Sequence, residues 1–291
     1  MELNHLEVTS PPRAAASVVM LRDAPAGMEV LLQKRHASSS VLGGAHVFPG
    51  GKLDPADMER DMAARLDREV QALHAALAEP DLTPLEAAGL HVAALREAFE
   101  ESGLLLAHGV SARVAELAAM RFIQGLTFNR LLADLSLQLD TTNLVPWSRW
   151  ITPRVPSVTS KRFDTRFFVA RVENGVEVVH DNHEAVESLW LRPRAALERY
   201  WEGAMMLAPP QIMSLAHLAR HERGQDVLDE ARARGPVLVQ PHTCEIDGQR
   251  VVCYPGDERH PITSRALPGP TRLVFRNRRF EPFQGFDAFL A

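Results

Sequence analysis

Three glutamates fall within one helical turn near the middle of the chain. Glu97, Glu100 and Glu101 stand at positions i, i+3 and i+4. At about 100° per residue they share one helix face, with Phe99 on the opposite face. Like charges at this spacing repel unless a cation offsets them, and Mg²⁺ or Mn²⁺ takes oxygen ligands and activates water for phosphoanhydride hydrolysis. An isolated face of this kind is more often a solvated acidic surface, here partly paired with Arg96.

A glycine-rich segment precedes this helix. Gly43, Gly44, Gly50 and Gly51 lie close together around Pro49. Glycine tolerates backbone conformations and close approaches that other residues do not. The segment therefore predicts a loop whose backbone passes close to another group.

Helices and strands alternate around these segments. A hairpin of strands at 14–21 and 30–33 is predicted first, followed by helices at 57–79 and 85–102, with Gly103 ending the second helix. Asn174 and Gly175 predict the turn of a later hairpin. Other helices are expected at 112–123, 128–139, 193–202, 211–222 and 225–233, and other strands at 147–151, 166–172, 176–179, around a turn at 247–248, and at 272–275. This order favours one α/β core with insertions and a C-terminal extension.

Composition limits the classes of function. The 291 residues are 46% hydrophobic and carry a net charge of −5, so we expect a globular protein and no nucleic-acid partner. We find neither an export signal nor a stretch of about 18–20 apolar residues, and expect no membrane segment. The two cysteines, Cys244 and Cys253, favour a reducing compartment, so the expected location is cytoplasmic.

Two half-motifs in order resemble the signature of the Nudix hydrolases, G-x5-E-x7-R-E-U-x-E-E-x-G-U, where U is bulky and aliphatic. Residues 51–57 are similar to its first half and 96–104 to its second, and Phe48 to Gly51 read F-P-G-G. Asp57 replaces a glutamate and Ala98 a bulky aliphatic residue. Between the halves lie 38 residues, 58–95, where the family has seven, an insertion of 31 residues. A helical hairpin can keep the ends of such an insertion adjacent.

The insertion and other segments narrow the resemblance to one branch of this family. Residues 45–54, 147–153 and 162–168 resemble the branch that contains peroxisomal coenzyme A diphosphatases. This implies a Nudix α/β/α sandwich with a mixed sheet at 12–222. A helical insertion is expected within the box at about 58–86, and a C-terminal extension at 223–291 packed on the core.

The resemblance also implies the roles of individual residues. Glu97, Glu100 and Glu101 are expected to hold Mg²⁺ or Mn²⁺, with Glu100 and Glu101 catalytic and Arg96 a structural partner of the acidic cluster. Gly51 matches the glycine that passes close to the metal site. Asp57 matches an accessory acidic position. A later loop often supplies the general base, for which Glu184 is preferred over Glu187; the alternative is an exposed acidic loop.

The implied substrate is a nucleotide-derived small molecule similar to coenzyme A, or its acyl derivative. Its phosphates need cationic side chains. The candidates are Lys34, Arg35, Lys52, Arg162 and Arg166, with Gly51 beside them and with Phe163 and Phe167 for stacking adenine; each arginine alone is more often a surface or salt-bridge residue. Hydrolysis of ADP-ribose or NADH is an alternative activity, a non-catalytic nucleotide-binding module is another alternative, and a homodimer is left open.

One constellation in the tail lies outside this resemblance. A turn at Asp247 and Gly248 places His242 opposite Cys253, with Cys244 on the same face, which could hold zinc. Only three zinc ligands are apparent unless His260 folds back. Buried cysteines more often act as small hydrophobic residues, and this is the stronger interpretation of Cys244 and Cys253.

Overall fold

A mixed β-sheet forms the centre of the molecule, which we describe from a computed structural model covering residues 3–39, 41–173, 178 and 185–291. Its strands are β1 (Arg13–Ala24), β2 (Gly27–Arg35), β3 (His46–Val47), β4 (Gly50–Lys52), β5 (Leu144–Ile151), β6 (Phe163–Arg171), β7 (Ala185–Leu191) and β8 (Val237–Val239). The order is β3-β2-β1-β6-β5-β8, with β4 beside β1 and β7 beside β2. Strand β1 is parallel to β6 and β5 to β8, while the other pairs are antiparallel.

Both faces of this sheet are buried. Along β1, Val18 and Met20 belong to one apolar cluster while Val19 and Leu21 belong to another, as the two-residue period of a strand requires. The first cluster is shared with α1 (Arg60–Ala63), α2 (Val70–Leu77), α3 (Pro84–Ser102), α4 (Ala112–Ile123) and α5 (Phe128–Asp134), and the second with α6 (Pro193–Trp201), α7 (Pro209–Leu218) and α8 (Gly224–Arg234). The predicted α/β/α sandwich with a mixed sheet is confirmed.

The insertion differs from the single helix predicted at 57–79. A 3-10 helix at Pro55–Met58 is followed by α1 and then by α2. Between the two α-helices, the Asp67 carboxylate accepts hydrogen bonds from the Thr141 N–H at 2.8 Å and the Thr142 hydroxyl at 2.8 Å. Thr141 and Thr142 lie more than 70 residues from Asp67 in the chain. Local helical periodicity therefore did not indicate the break between α1 and α2.

The C-terminal residues pack on the sandwich. Strand β8 extends the main sheet beside β5. A second, antiparallel sheet contains β9 (His242–Ile246), β10 (Gln249–Cys253), β11 (Arg272–Arg276) and β12 (Arg279–Glu281), and a 3-10 helix spans Phe286–Phe289. The Tyr200 hydroxyl of α6 donates to the Phe280 carbonyl at 2.8 Å and accepts from its N–H at 2.8 Å, which ties this sheet to the core.

Some sequence predictions can be compared with the structure and some cannot. The hairpin of β1 and β2 and the turn at Asp247 and Gly248 are confirmed. The predicted turn at Asn174 and Gly175 lies outside the described residues, as does Glu184. No helix in the described part of the chain has both the length and the apolar character needed to cross a bilayer.

A buried histidine in α3 makes stability depend on pH. His91 is fully buried, its Nδ1 lies 2.8 Å from the Ala87 carbonyl, and its ring packs 4.8 Å from that of Phe168. Burial lowers the pKa of His91 from 6.5 to about 4. Between these values the unfolded chain binds a proton that the folded chain does not, so stability falls as the pH drops from 6.5 towards 4, by up to about 3 kcal/mol.

We therefore expect His91→Leu to lose less stability than the wild type over this pH range. Urea denaturation at pH 7, 6, 5 and 4 measures the difference. His242→Leu, at an exposed position, is the matched control and should follow the wild-type pH profile. Equal acid sensitivity of His91→Leu and wild type would contradict the assignment.

Candidate active site

Helix α3 holds the acidic cluster in a fixed orientation. At its start the Thr83 hydroxyl accepts the Glu86 N–H at 3.2 Å, and the Glu86 carboxylate accepts the Thr83 N–H at 2.8 Å. At its end Gly103 has φ of 72° and donates its N–H to the Phe99 carbonyl at 2.8 Å. Both ends are therefore defined by local hydrogen bonds, as the predicted helix at 85–102 required.

Arg96 organises the carboxylates beside it. Its guanidinium donates to both oxygens of Asp57, at 2.8 and 3.0 Å. One nitrogen, Nη1, donates to Glu97 at 2.8 Å and to Glu100 at 2.9 Å. Burial alone would lower the pKa of Arg96, but these carboxylates outweigh it and raise the pKa above its usual value. Arg96 is therefore a permanent cation that draws Glu97 and Glu100 together.

Asp57 is an ion-pair partner of Arg96. Its side chain is buried and accepts the Arg96 bonds, and it also accepts the Asp54 N–H at 2.9 Å. Asp57, which replaces the glutamate of the family motif, thus joins the two halves of the split motif by binding Arg96, 39 residues later in the chain.

The glycine-rich loop contacts the same helix. The Gly50 N–H donates to Oε2 of Glu101 at 2.8 Å. A Cβ on Gly51 would lie 2.2 Å from Oε1 of Glu97, so only glycine fits there without displacing that carboxylate. The sequence prediction of a loop passing close to another group identified this approach.

The three glutamates differ in their surroundings. Glu101 is buried, and its Oε1 lies 3.9 Å from the Arg35 guanidinium, while Glu97 and Glu100 are half-buried. Burial raises the pKa of Glu100 against the opposing effect of Arg96. Among the described residues, the groups of three candidate ligand atoms within 4.8 Å of one another do not include these three glutamates. They form a pair at Arg96 and a third carboxylate turned towards Gly50.

A cleft of about 510 Å³ opens at this loop. Several of the predicted phosphate-binding and metal-binding residues line its charged end, namely Arg35, Gly51, Lys52 and Glu97, together with Asp54. The cleft then crosses the sheet, where its lining includes Phe48, Trp150, Phe163, Phe167, Gln211 and Val252. The sequence singled out neither Trp150 nor Gln211 nor Val252 as a site residue, because they enter the cleft from β5, α7 and β10.

Arg166 and Arg162 do not reach this cleft. Arg166 is buried and donates to the two oxygens of Glu79, at 3.0 and 2.6 Å. Arg162 donates to the carbonyl of Thr152 at 3.0 Å and to that of Ser10 at 3.2 Å. Their substrate-binding role therefore stays a prediction.

The period of β6 explains where Arg166 points. Phe163, Thr165 and Phe167 line the cleft, so the alternate residue, Arg166, faces the opposite side of the sheet. The two-residue alternation could have identified this orientation from the sequence.

The predicted general base stays untested. Glu184 lies outside the described residues. The alternative, Glu187, is exposed, pairs with Lys34 across β7 and β2, and has its Oε2 3.9 Å from Nε2 of His46. Neither Glu187 nor Lys34 lines the cleft.

The tail constellation does not form a close metal cluster. Cys253 lies opposite His242 in the register of β9 and β10, and its Sγ is 4.0 Å from that of Cys244. Among the described residues, the groups of three candidate ligands within 4.8 Å of one another do not include these side chains. Burial raises the pKa of Cys253 to about 12. These cysteines are better explained as packing residues.

The sandwich and the acidic helix together define a Nudix hydrolase acting on a diphosphate bond. Comparison with known proteins leads to the same class. The family model described as the NUDT19 Nudix domain matches residues 8–218, and the chain belongs to this family.

Individual relatives support the same assignment. Proteins named acyl-coenzyme A diphosphatase NUDT19 from Xenopus laevis and Gallus gallus are each 28% identical to this chain. The alignments cover 80% and 86% of this chain and 71% and 80% of the relatives. A crystal structure of a Nudix hydrolase from Alicyclobacillus acidocaldarius has a TM-score of 0.60 and 27% identity, covering 76% of this chain and 97% of that one.

Proposed function

We propose that the protein hydrolyses the diphosphate of coenzyme A or acyl-coenzyme A, giving 3′,5′-ADP and 4′-phosphopantetheine or its acyl derivative. The main support is the cleft, in which charged residues beside the acidic helix continue into a long apolar section. Such a cleft suits a molecule with a diphosphate and an apolar arm. The names of the two vertebrate relatives point to the same substrate class.

The donor set fits a hard divalent cation. Carboxylate oxygens are the ligands that Mg²⁺ and Mn²⁺ prefer, and Gly51 leaves room beside Glu97 where a Cβ would collide. Glu97, Glu100 and Glu101 would hold the cation. When bound, it supplies charge neutralisation at the diphosphate and a water of lowered pKa.

Several side chains and one backbone N–H position the polar groups at the charged end of the cleft. Arg96 turns Glu97 and Glu100 towards each other, and the Gly50 N–H holds Glu101. Arg35 and Lys52 line the cleft and can bind phosphate oxygens. In the net reaction one P–O bond of the diphosphate breaks and water supplies the new oxygen. We propose Glu100 and Glu101 as catalytic residues and keep Glu184 as the proposed general base.

The surroundings of the enzyme are also part of the proposal. The net charge of −5 does not favour a nucleic-acid partner. Cys244 and Cys253 are free thiols, as is usual in a reducing compartment, and we propose a cytoplasmic location. Size-exclusion chromatography with light scattering would show whether a homodimer forms.

Product analysis tests the proposal directly. Purified protein is incubated with coenzyme A, ADP-ribose or NADH in Mg²⁺ or Mn²⁺, and products are separated by chromatography. We expect 3′,5′-ADP from coenzyme A, loss of turnover in excess chelator and recovery when the cation is restored. Preferential cleavage of ADP-ribose or NADH would refute the substrate assignment. Binding without any product would favour the non-catalytic module.

A further inference from the structure

One buried polar side chain in the wall of the cleft lacks a protein partner. Gln211, on α7, lines the cleft and is 7% exposed. Within the described part of the chain, its Oε1 is buried and accepts no hydrogen bond. Such an oxygen is costly to bury, because it has lost its hydrogen bonds to water and gained none in exchange. Its place in the wall of a cleft makes a ligand the natural source of the missing bond.

Two hydroxyl groups in the same wall already have protein partners. The Ser17 hydroxyl donates to the Pro49 carbonyl at 2.9 Å, and the Thr152 hydroxyl accepts the Phe163 N–H at 3.1 Å. Among the described residues that line the cleft, Gln211 alone carries a carboxamide. The missing hydrogen bond is therefore a property of this position and not of the wall in general.

The start of α7 holds Gln211 in place. The His46 N–H, in the glycine-rich loop, donates to the Met206 carbonyl at 2.8 Å, which ties the segment before α7 to that loop. Pro209 and Pro210 occupy the first two positions of the helix, where the proline ring fixes φ at a helical value. A backbone restrained in this way can present one side chain to a ligand at a defined position.

The chemistry of a carboxamide limits the group that it can bind. Its oxygen accepts a hydrogen bond and its nitrogen donates, and a half-turn about the terminal side-chain bond exchanges the two atoms. The diphosphate carries no proton at neutral pH that could be donated to the oxygen. An N–H group can donate to it, as in an amide or in the amino group of adenine, which pairs well with glutamine.

We propose that Gln211 binds the substrate by accepting a hydrogen bond from one of its N–H groups. This inference rests on the proposed function for the identity of the substrate. In coenzyme A the N–H groups are the amino group of adenine and the amides of the pantetheine arm. Hydrolysis separates the two sources, since 3′,5′-ADP keeps the adenine and 4′-phosphopantetheine keeps the amides.

The Gln211→Met variant tests this contact, because methionine keeps the length of the side chain and removes the carboxamide. We measure kcat and KM for coenzyme A, and the inhibition constants of 3′,5′-ADP and 4′-phosphopantetheine. We expect KM to rise about three- to tenfold with kcat little changed, as for the loss of one hydrogen bond to a neutral group. The inhibition constant of one product should rise by a similar factor and that of the other should stay unchanged, which identifies the N–H group.

Stability separates substrate binding from a structural role. Methionine replaces a polar group that has no protein partner, so we expect Gln211→Met to be as stable in urea as the wild type, or more stable. Gln249→Met, at an exposed position outside the cleft, is the matched control and should change none of these quantities. If Gln211→Met does not fold, Gln211→Asn replaces it; it withdraws the carboxamide by one methylene group and should raise KM in the same way.

The outcomes separate this inference from the proposed function. If coenzyme A is cleaved and the variant keeps the wild-type KM and both inhibition constants, a buried water serves Gln211 and the inference is refuted while the function stands. An equal rise in both inhibition constants would indicate a change in the shape of the cleft and would also refute it. If wild type does not cleave coenzyme A, the proposed function fails, and calorimetry with 3′,5′-ADP and 4′-phosphopantetheine decides the role of Gln211. Weaker binding of one of them to Gln211→Met supports the contact, whereas equal binding, or binding of neither to wild type, refutes it.

Discussion

The Glu100→Gln variant is expected to lose at least about 100-fold in kcat while remaining as stable as the wild type or becoming slightly more stable. Removal of one preorganised electrostatic group from an active site typically has an effect of this size. Burial disfavours the charged form of Glu100 and raises its pKa, so a neutral amide of the same shape removes a desolvation penalty. Glutamine keeps a carbonyl oxygen that can accept from Arg96.

The opposite directions of these two effects make the test specific. Initial rates of product release and urea denaturation are measured on the same preparations. Glu116→Gln, an exposed glutamate on α4, is the matched control and should change neither quantity. Loss of stability together with loss of activity would indicate a structural role for Glu100, and unchanged kcat would remove it from the active site.

The helix that carries Glu100 could be predicted from sequence because its determinants are local. The capping residues Thr83 and Glu86 are three positions apart, and Gly103 follows the last helical residue. The period of the carboxylates places them on one face whatever surrounds the helix. The order of the half-motifs then indicated that the loop at Gly51 must return to this face, as it does.

The partners of the arginines depended on distant residues and could not be predicted in the same way. Arg166 binds Glu79 of the insertion, 87 residues earlier in the chain, and no local pattern encodes that pair. Arg96 meets Asp57 only because the insertion returns the chain to α3. Long-range ion pairs of this kind follow from the packing of elements, which sequence periodicity specifies only in part.

The contribution of the C-terminal extension to the cleft could not be predicted from the sequence either. Val252 belongs to a short strand, Gln249–Cys253, whose sequence does not indicate which elements it packs against. Tyr254, which follows this strand, packs against Trp150 of β5, and β8 joins β5 in parallel, so the second sheet lies against the core. A parallel pairing between distant segments has no short turn to indicate it.

Replacing Arg96 by alanine is expected to destabilise the protein by about 3–5 kcal/mol, the usual effect of removing one partner of a buried ion pair. The Asp57 side chain is fully buried and would retain a charge with no guanidinium beside it. Glu97 and Glu100 would also lose the cation that they share. Urea denaturation at neutral pH measures the loss, which should also appear as a lower Tm.

A double-mutant cycle distinguishes this ion pair from a simple loss of packing. Arg96→Ala and Asp57→Ala are measured alone and together, and the double variant should be less destabilised than the sum of the single variants, because neither partner is then left buried and unpaired. Arg223→Ala removes an exposed pair with Asp226 and should produce no measurable change. Additive effects of Arg96→Ala and Asp57→Ala would show that their contact contributes little. Strong coupling would show that the split motif is held together by this ion pair, since Asp57 and Arg96 border the insertion on its two sides.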